Sequence, residues 1–330
     1  MEEKMKVADL SHLAESLIEA AQGLVDTKFR VDVAARNSPK DIPDDLHGPM
    51  RGGEYGPNFG MCFFNSIIPF LPREWEVEEP ELLSVPVAHT FGCSWRWWPD
   101  RYLKDDDEMK IRNHIFSDYG IRSTSYTAIP ELGLFLPHEG KNRVNFCRHH
   151  NIEYLPARVY MHHYPHAERI KLYVLDVAGG KDVWAVLDDR FVQKISHYDY
   201  ALPLLRAYGV AVLGKWPEEL PSLISLLEHA DHCTDCDTFH HHVLDANAVK
   251  KVVEEKELYV KCALLDLPVH RKYRFLVWIF LIWLMAVATW GAFDEGIVGK
   301  ASLTIFAFTS GIIAVGIAPI MKIKKKYLEG

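Results

Sequence analysis

The stretch Glu139-Gly140-Lys141-Asn142-Arg143-Val144 decides how this chain is read. It follows the apolar run Leu132-Gly133-Leu134-Phe135-Leu136, a strand candidate, and opens a helix-like stretch from Val144 to His150. A Gly where a strand turns into a helix, with Lys and Arg in the first turn, is a way to cradle phosphate. The helix start offers unpaired N–H groups and a partial positive charge, and the cations supply the rest. Gly140, Lys141, Asn142 and Arg143 are therefore the candidate nucleotide-binding residues.

Working outward, Ser84-Val85-Pro86-Val87-Ala88 reads as a strand. It is followed by Trp98-Pro99-Asp100-Arg101 and by the acidic run Asp105-Asp106-Asp107-Glu108. The acids suit the start of a helix carrying Met109, Ile111, Ile115 and Phe116, which Tyr119-Gly120-Ile121 ends with Gly120 as its cap. Beyond the opening motif, Leu155 to Tyr160 is a strand. Ile170 to Val177 and Val183 to Leu187 flank Gly179-Gly180 as a hairpin, and Leu202 to Tyr208 is a short helix. Asp188-Asp189-Arg190 is a turn. Upstream, apolar residues from Val7 to Val25 recur at helical spacing, with Asp9 or Ser11 at the start. Arg36 to Pro57, rich in Pro, Gly and Asp, reads as a long loop. Met61 to Phe70 is a strand or a buried turn of helix.

These pieces, in this order, resemble the N-terminal domain of ParB-type partition proteins and the wider ParB/sulfiredoxin fold. That fold runs through a strand, a Pro-x-Arg element, an acid-led helix ending in Gly-Ile, a strand, a Gly-x-x-Arg turn into a helix, and a strand opening with Pro-Ala. Here they are Val85–Val87, Pro99/Arg101, Asp105 to Gly120-Ile121, Leu132–Leu136, Gly140 to Arg143, and Pro156-Ala157-Arg158-Val159. The resemblance spans roughly Leu83 to Val177. It implies an α+β domain, a mixed sheet with flanking helices, that binds a nucleoside triphosphate at the Gly-x-x-Arg turn with Mg²⁺. Arg143, Arg101 and Asp100 are the implied catalytic residues of an NTPase or phosphotransferase, the arginines stabilising developing charge. Lys141 stands where sulfiredoxins carry a reactive Cys, so that chemistry is not implied. No convincing helix-turn-helix follows, which puts DNA binding in doubt. Two other readings stay open: a non-catalytic membrane-tethered scaffold, and a membrane-held ParB-like nuclease.

His232-Cys233-x-x-Cys236-x-x-x-His240 has the ligand types and Cys spacing of a zinc site. Cys233, Cys236 and His240 are the candidate ligands of a structural Zn²⁺. His149-His150 and His162-His163 flank the Pro156–Tyr160 strand. Neighbours on a strand face opposite ways, so neither pair chelates, although one imidazole beside a phosphate can act as acid or base.

Charge divides the chain. It carries 37 Lys/Arg and 45 Asp/Glu; eight of the bases and three of the acids lie from Arg271 onward. That leaves 29 against 42 in front, a net −13, and +5 behind. An acidic front part argues against non-specific nucleic-acid binding. The six Cys show no disulfide-framework spacing, as expected of a reducing cytosol. Phe275 to Phe293 and Ala301 to Met321 are uncharged and long enough to span a hydrocarbon core about 30 Å thick. The flanks His270-Arg271-Lys272-Tyr273-Arg274 and Lys322-Ile323-Lys324-Lys325-Lys326 predict a hairpin, membrane-bound over residues 275–321, with both ends cytoplasmic. A bacterial inner membrane is the implied setting. Ser310, Ala314 and Ala318 form a small-residue stripe for close helix contact, within the hairpin or in a homo-oligomer. The expected organisation is 1–82, an N-terminal helix and loop; 83–213, the ParB/sulfiredoxin-like domain; 214–270, a His/Cys-rich segment and membrane-proximal helix; and 271–330, two transmembrane helices and a basic tail.

Overall fold

The computed structural model describes residues 5–48, 50–51, 54–55, 58–73, 79–92, 98, 102–235, 238–239, 242–263, 272–292, 296–318 and 321–324. They divide into two compact units, Met1–Ala246 and Asn247–Gly330.

The first unit is α+β with two mixed sheets. Strand β1 (Lys6–Val7) precedes helix α1 (Glu15–Asn37), the short pair β2 (Met50–Arg51) and β3 (Glu54–Tyr55), and helix α2 (Gly60–Ile67). Then come β4 (Glu81–Pro86), α3 (Asp105–Ile115), α4 (Asp118–Arg122), β5 (Ser125–Ile129), β6 (Leu134–Glu139), α5 (Lys141–His149) and β7 (Tyr154–Met161). The first sheet has the order β1-β4-β7-β5-β6. β4 pairs antiparallel with β7, β7 parallel with β5, and β5 antiparallel with β6. Next are β8 (Ile170–Val177), β9 (Gly180–Leu187), β10 (Phe191–Lys194), α6 (Tyr198–Tyr208), β11 (Ala211–Leu213), α7 (Leu223–Glu228), α8 (Ala230–Cys233), β12 (Thr234–Asp235) and β13 (Val243–Asp245). They build the second sheet, β11-β8-β9-β10-β13-β12.

Alternation along β6 explains why the first sheet has a core on each face. Phe135 packs with Tyr126, Val144, Phe146, Leu155 and Ile115, so α5 and α3 cover that side. Leu134 and Leu136 join Leu24 and Val25 of α1, Phe63 and Phe64 of α2, and Leu204 and Leu205 of α6 on the other. The segment expected as a separate N-terminal region thus shares its core with the sheets.

The first helix begins at Glu15, not Val7, and runs to Asn37, into the expected loop. Asp9 accepts from the Ser11 amide at 2.9 Å in the preceding turn rather than capping the helix. Met61 to Ile67 is helical. The β5 strand had no counterpart in the periodicity, because its Tyr126 to Ile129 run is buried on both faces and does not alternate. Gly120 sits inside α4, where a Cβ would lie 1.8 Å from the His114 carbonyl oxygen. It permits close approach of two helices rather than capping one.

The second unit holds α9 (Ala246–Leu258), β14 (Tyr259–Cys262), α10 (Lys272–Ala292), α11 (Ile297–Ile317) and β15 (Met321–Lys324). Among the described residues one helix is long and apolar enough to cross a membrane, over Ile297–Ala314, where two spans were expected. The described apolar stretch of α10, Val277–Trp290, is shorter. The second expected span also ends early: α11 stops at Ile317, and Met321 belongs to β15. α10 and α11 pack together. The Trp283 indole N–H donates to Ser310 Oγ at 3.0 Å, and Ser302 Oγ to Thr289 Oγ1 at 2.9 Å. Ser310, the first residue of the small stripe, is thus engaged within this pair.

Candidate functional site

The opening motif folds as a strand-to-helix turn. β6 ends at Glu139, Gly140 takes a left-handed conformation (φ 87°, ψ 6°), and α5 starts at Lys141. Only glycine suits the position. A Cβ there would stand 2.9 Å from Thr124 Cγ2 and 3.3 Å from Tyr126 Cε1, besides paying for positive φ. Tyr126, fully buried on β5, donates its hydroxyl to the Gly140 carbonyl at 3.2 Å and holds the turn from below. The amides of Lys141 and Asn142 lie in the first turn of α5, where a helix offers no acceptor of its own.

The candidate residues diverge from there. Lys141 donates to the His138 carbonyl at 3.1 Å and lies 4.9 Å from the centre of the Phe59 ring. Phe59 is the N-cap residue of α2, so Lys141 joins the starts of α5 and α2. Asn142 is exposed. Arg143 turns back on its own domain. Its Nη1 donates to the Gly120 carbonyl at 2.8 Å and its Nη2 to Ser123 Oγ at 3.0 Å, bracing the end of α4. Asp100 and Arg101 lie outside the described residues, as do Cys236 and His240; of Cys233, only its place at the end of α8 is described. Among the described residues no group of three or more His, Cys, Asp or Glu is placed to hold a metal ion. The Asp105–Glu108 run forms the first turn of α3, with Asp105 and Asp106 exposed and Asp107 3.0 Å from Lys110 Nζ.

The histidines separate as well. His163 meets Glu131 at 2.6 Å, and His150 lies 3.7 Å from Glu108. His138 Nε2 and Thr127 Oγ1 are 2.9 Å apart. Desolvation, then the charges of His138 and His163, hold His162 down to about 4, so its imidazole is neutral at pH 7. Burial pushes the Cys147 thiol up to about 11, which leaves this α5 cysteine unreactive at neutral pH.

Sequence reasoning missed a buried ion pair beside the turn. Lys28 and Asp32, each 1% exposed, pair one turn apart on α1. Lys28 also donates to the Asn58 carbonyl, just before α2, at 2.7 Å. The signal was present: both fall on the buried stripe of α1 with Leu24, Val25, Val31 and Ala35. Charges on a core stripe need partners. Across from α1, α5 presents Asn145, whose amide is buried without a partner, and Arg148, which pairs with Asp26 at 2.8 Å over the Phe29 ring. Beyond Arg148 opens a cleft of about 740 Å³, also lined by Gln22, His89 and Glu153.

Asp32 gives a pH prediction. Burial raises its carboxyl from 3.8 to about 6, against the pull of Lys28. Because the folded pKa lies above the unfolded one, its contribution to stability is fully present below about pH 3.8 and is lost as pH rises through about 6. Urea unfolding at pH 4 and pH 7 should show wild type losing on the order of 3 kcal/mol relative to Asp32→Asn over that interval. Parallel pH profiles for the two proteins would contradict the assignment.

Compared with known proteins, the chain matches no family model, no curated protein and no solved structure.

Proposed function

We propose that this is a membrane-anchored nucleotide-binding protein whose ParB/sulfiredoxin-like domain takes the phosphates of a nucleoside triphosphate at the Gly140 turn. The observation that carries the proposal is Gly140 itself: a left-handed N-cap at a strand-to-helix junction, seated on Tyr126 and Thr124, with a lysine next in sequence. The Lys141 and Asn142 amides and the Lys141 ammonium supply donors and charge to an anion. Arg143 positions the turn through Gly120 and Ser123. Mg²⁺ accompanies the nucleotide, and His138, two residues before Gly140 with its carbonyl accepting from Lys141, is the candidate base for hydrolysis or transfer.

α10 and α11 anchor the domain as a transmembrane hairpin with both ends cytoplasmic. In support, the apolar window of α11 is only 17% buried, and Trp278, Met285, Ile297 and Phe308 are each more than half exposed. A soluble protein would not leave so much apolar surface in water.

The test is a calorimetric titration of the full chain in detergent with ATP, CTP and GTP, with and without Mg²⁺. One nucleotide should bind, and Lys141→Ala should weaken it by roughly tenfold or more, the worth of a charge-assisted hydrogen bond. Absence of binding, or unchanged binding by the variant, would overturn the proposal. One observation favours a second reading, a scaffold without turnover: both terminal nitrogens of Arg143 are already used within the domain. Binding without hydrolysis would select it.

A further inference from the structure

The cleft beyond Arg148 lies away from the Gly140 turn. The helix α5 separates them, about 12 Å of rise between Gly140 and Arg148. At about 740 Å³ the cleft has the volume of a small-molecule site. Its walls come from the turn after β1, from α1, from the end of β4 and from the loop between α5 and β7. Leu10, Ile18, Pro86 and Ile152, all half-buried, give it apolar surface.

One wall is a polar stripe that is held from behind. Ile18, Gln22 and Asp26 stand at four-residue intervals on α1 and so share a face. Behind Gln22 sits His89, 3% exposed. His89 Nδ1 lies 2.8 Å from the Gly133 carbonyl, which can only accept, so Nδ1 carries the proton. Burial lowers the pKa of this imidazole, which is therefore neutral at pH 7. Its Nε2 is then an acceptor and takes an N–H from Gln22 Nε2 at 3.1 Å. That chain of bonds fixes which way the Gln22 amide faces, and Oε1 is left without a partner among the described residues. Asp26 is fixed as well. Its Oδ1 accepts from Arg148 Nη1 at 2.8 Å, while the side chain stays 57% exposed and Oδ2 makes no bond among the described residues.

The balance of these groups selects the ligand. The charged residues of the cleft are Asp26, Glu153 and Arg148, and Arg148 is already engaged by Asp26. The carboxylate of Glu153 is exposed and has no ion-pair partner among the described residues, so one negative charge is in excess. Oriented acceptors beside uncompensated negative charge suit a ligand that brings donors and positive charge. An ammonium has three donors and no acceptor, and can bridge Gln22 Oε1 and Asp26 Oδ2, whose residues are one helical turn apart.

We propose that this cleft binds a small primary amine with an apolar body. The ammonium sits between Gln22 and Asp26 under the field of Glu153, and the apolar part lies on Leu10, Ile18, Pro86 and Ile152. None of these residues belongs to the Gly140 turn, so the site stands or falls separately from nucleotide binding.

The test is calorimetry at pH 7 on the full chain in detergent, with heats from protein-free micelles subtracted. Three probes of one shape are compared: phenylbutylamine, phenylbutanol and phenylbutyrate. The amine should bind about tenfold or more tighter than either of the others, the worth of a hydrogen bond to a charged group. Gln22→Leu and Asp26→Asn should each weaken the amine by about tenfold. Leucine is a good helix former and asparagine can still accept from Arg148, so both variants should keep the wild-type melting temperature. Should Gln22→Leu not fold, Asp26→Asn alone decides. No binding of the amine, equal binding of the three probes, or amine binding undiminished in the folded variants would overturn the proposal.

Discussion

Gly140→Ala should destabilise the protein by roughly 2 kcal/mol and abolish nucleotide binding. Two costs combine. An L-residue at φ 87° pays the left-handed penalty, and the new methyl would stand 2.9 Å from Thr124 Cγ2. Thr124 cannot retreat freely, because its hydroxyl donates to the Ile121 carbonyl and accepts from the Arg158 amide. The strain therefore passes into the turn itself, tilting the first amides of α5 away from where a phosphate would sit. Gly179→Ala is the control. Its φ is 97°, but a Cβ there meets nothing within 4 Å, so it should cost only the backbone penalty and leave binding intact. Urea unfolding followed by tryptophan fluorescence, with calorimetry for binding, reads both. Equal effects at the two glycines would mean that the packing beneath Gly140 does not matter.

The largest effect on stability is expected at Lys28. Lys28→Met removes the ammonium from a carboxylate that is 1% exposed and whose Oδ1 already lacks a partner. Breaking a buried pair from one side costs about 3–5 kcal/mol, because a charge is left unpaired or must be neutralised. It also frees the Asn58 carbonyl at the entry to α2, across from Lys141 and Phe59. Lys28→Met/Asp32→Leu should recover most of the loss, since replacing both partners by apolar groups of similar volume is often neutral. Denaturant midpoints for the single and double variants give the comparison directly. A single variant as stable as wild type would show that the pair carries no structural weight.

The parts of this protein that were legible from sequence are those where one local signal dominates. The Gly140 junction, the acid-led start of α3 and the Gly179 hairpin each rest on backbone chemistry that a few residues specify. So does the turn at Asp188 and Asp189, both at φ 53°. What was not legible depends on partners distant in the chain. β5 is buried on both faces and shows no period, and α2 is a short apolar run whose helical form follows from packing Phe63 and Phe64 into a core shared with α1, β6, α6 and the second sheet. The candidate site shows the same division. Gly140 and Lys141 were found by spacing. Tyr126 and Thr124 beneath them lie a strand away, and nothing in the motif announces that Arg143 would spend two donors on Gly120 and Ser123.

Hydrogen–deuterium exchange of the full chain in detergent, with and without the nucleotide that binds and Mg²⁺, tests the central claim most directly. It follows the amides of Gly140 to Phe146 at the turn, separately from those of β8 and β9. The account predicts that nucleotide slows exchange in the peptide covering Gly140 to Phe146, and that Lys141→Ala shifts this protection to roughly tenfold higher nucleotide concentration or beyond. Protection confined to other peptides, with the turn unchanged, would contradict it.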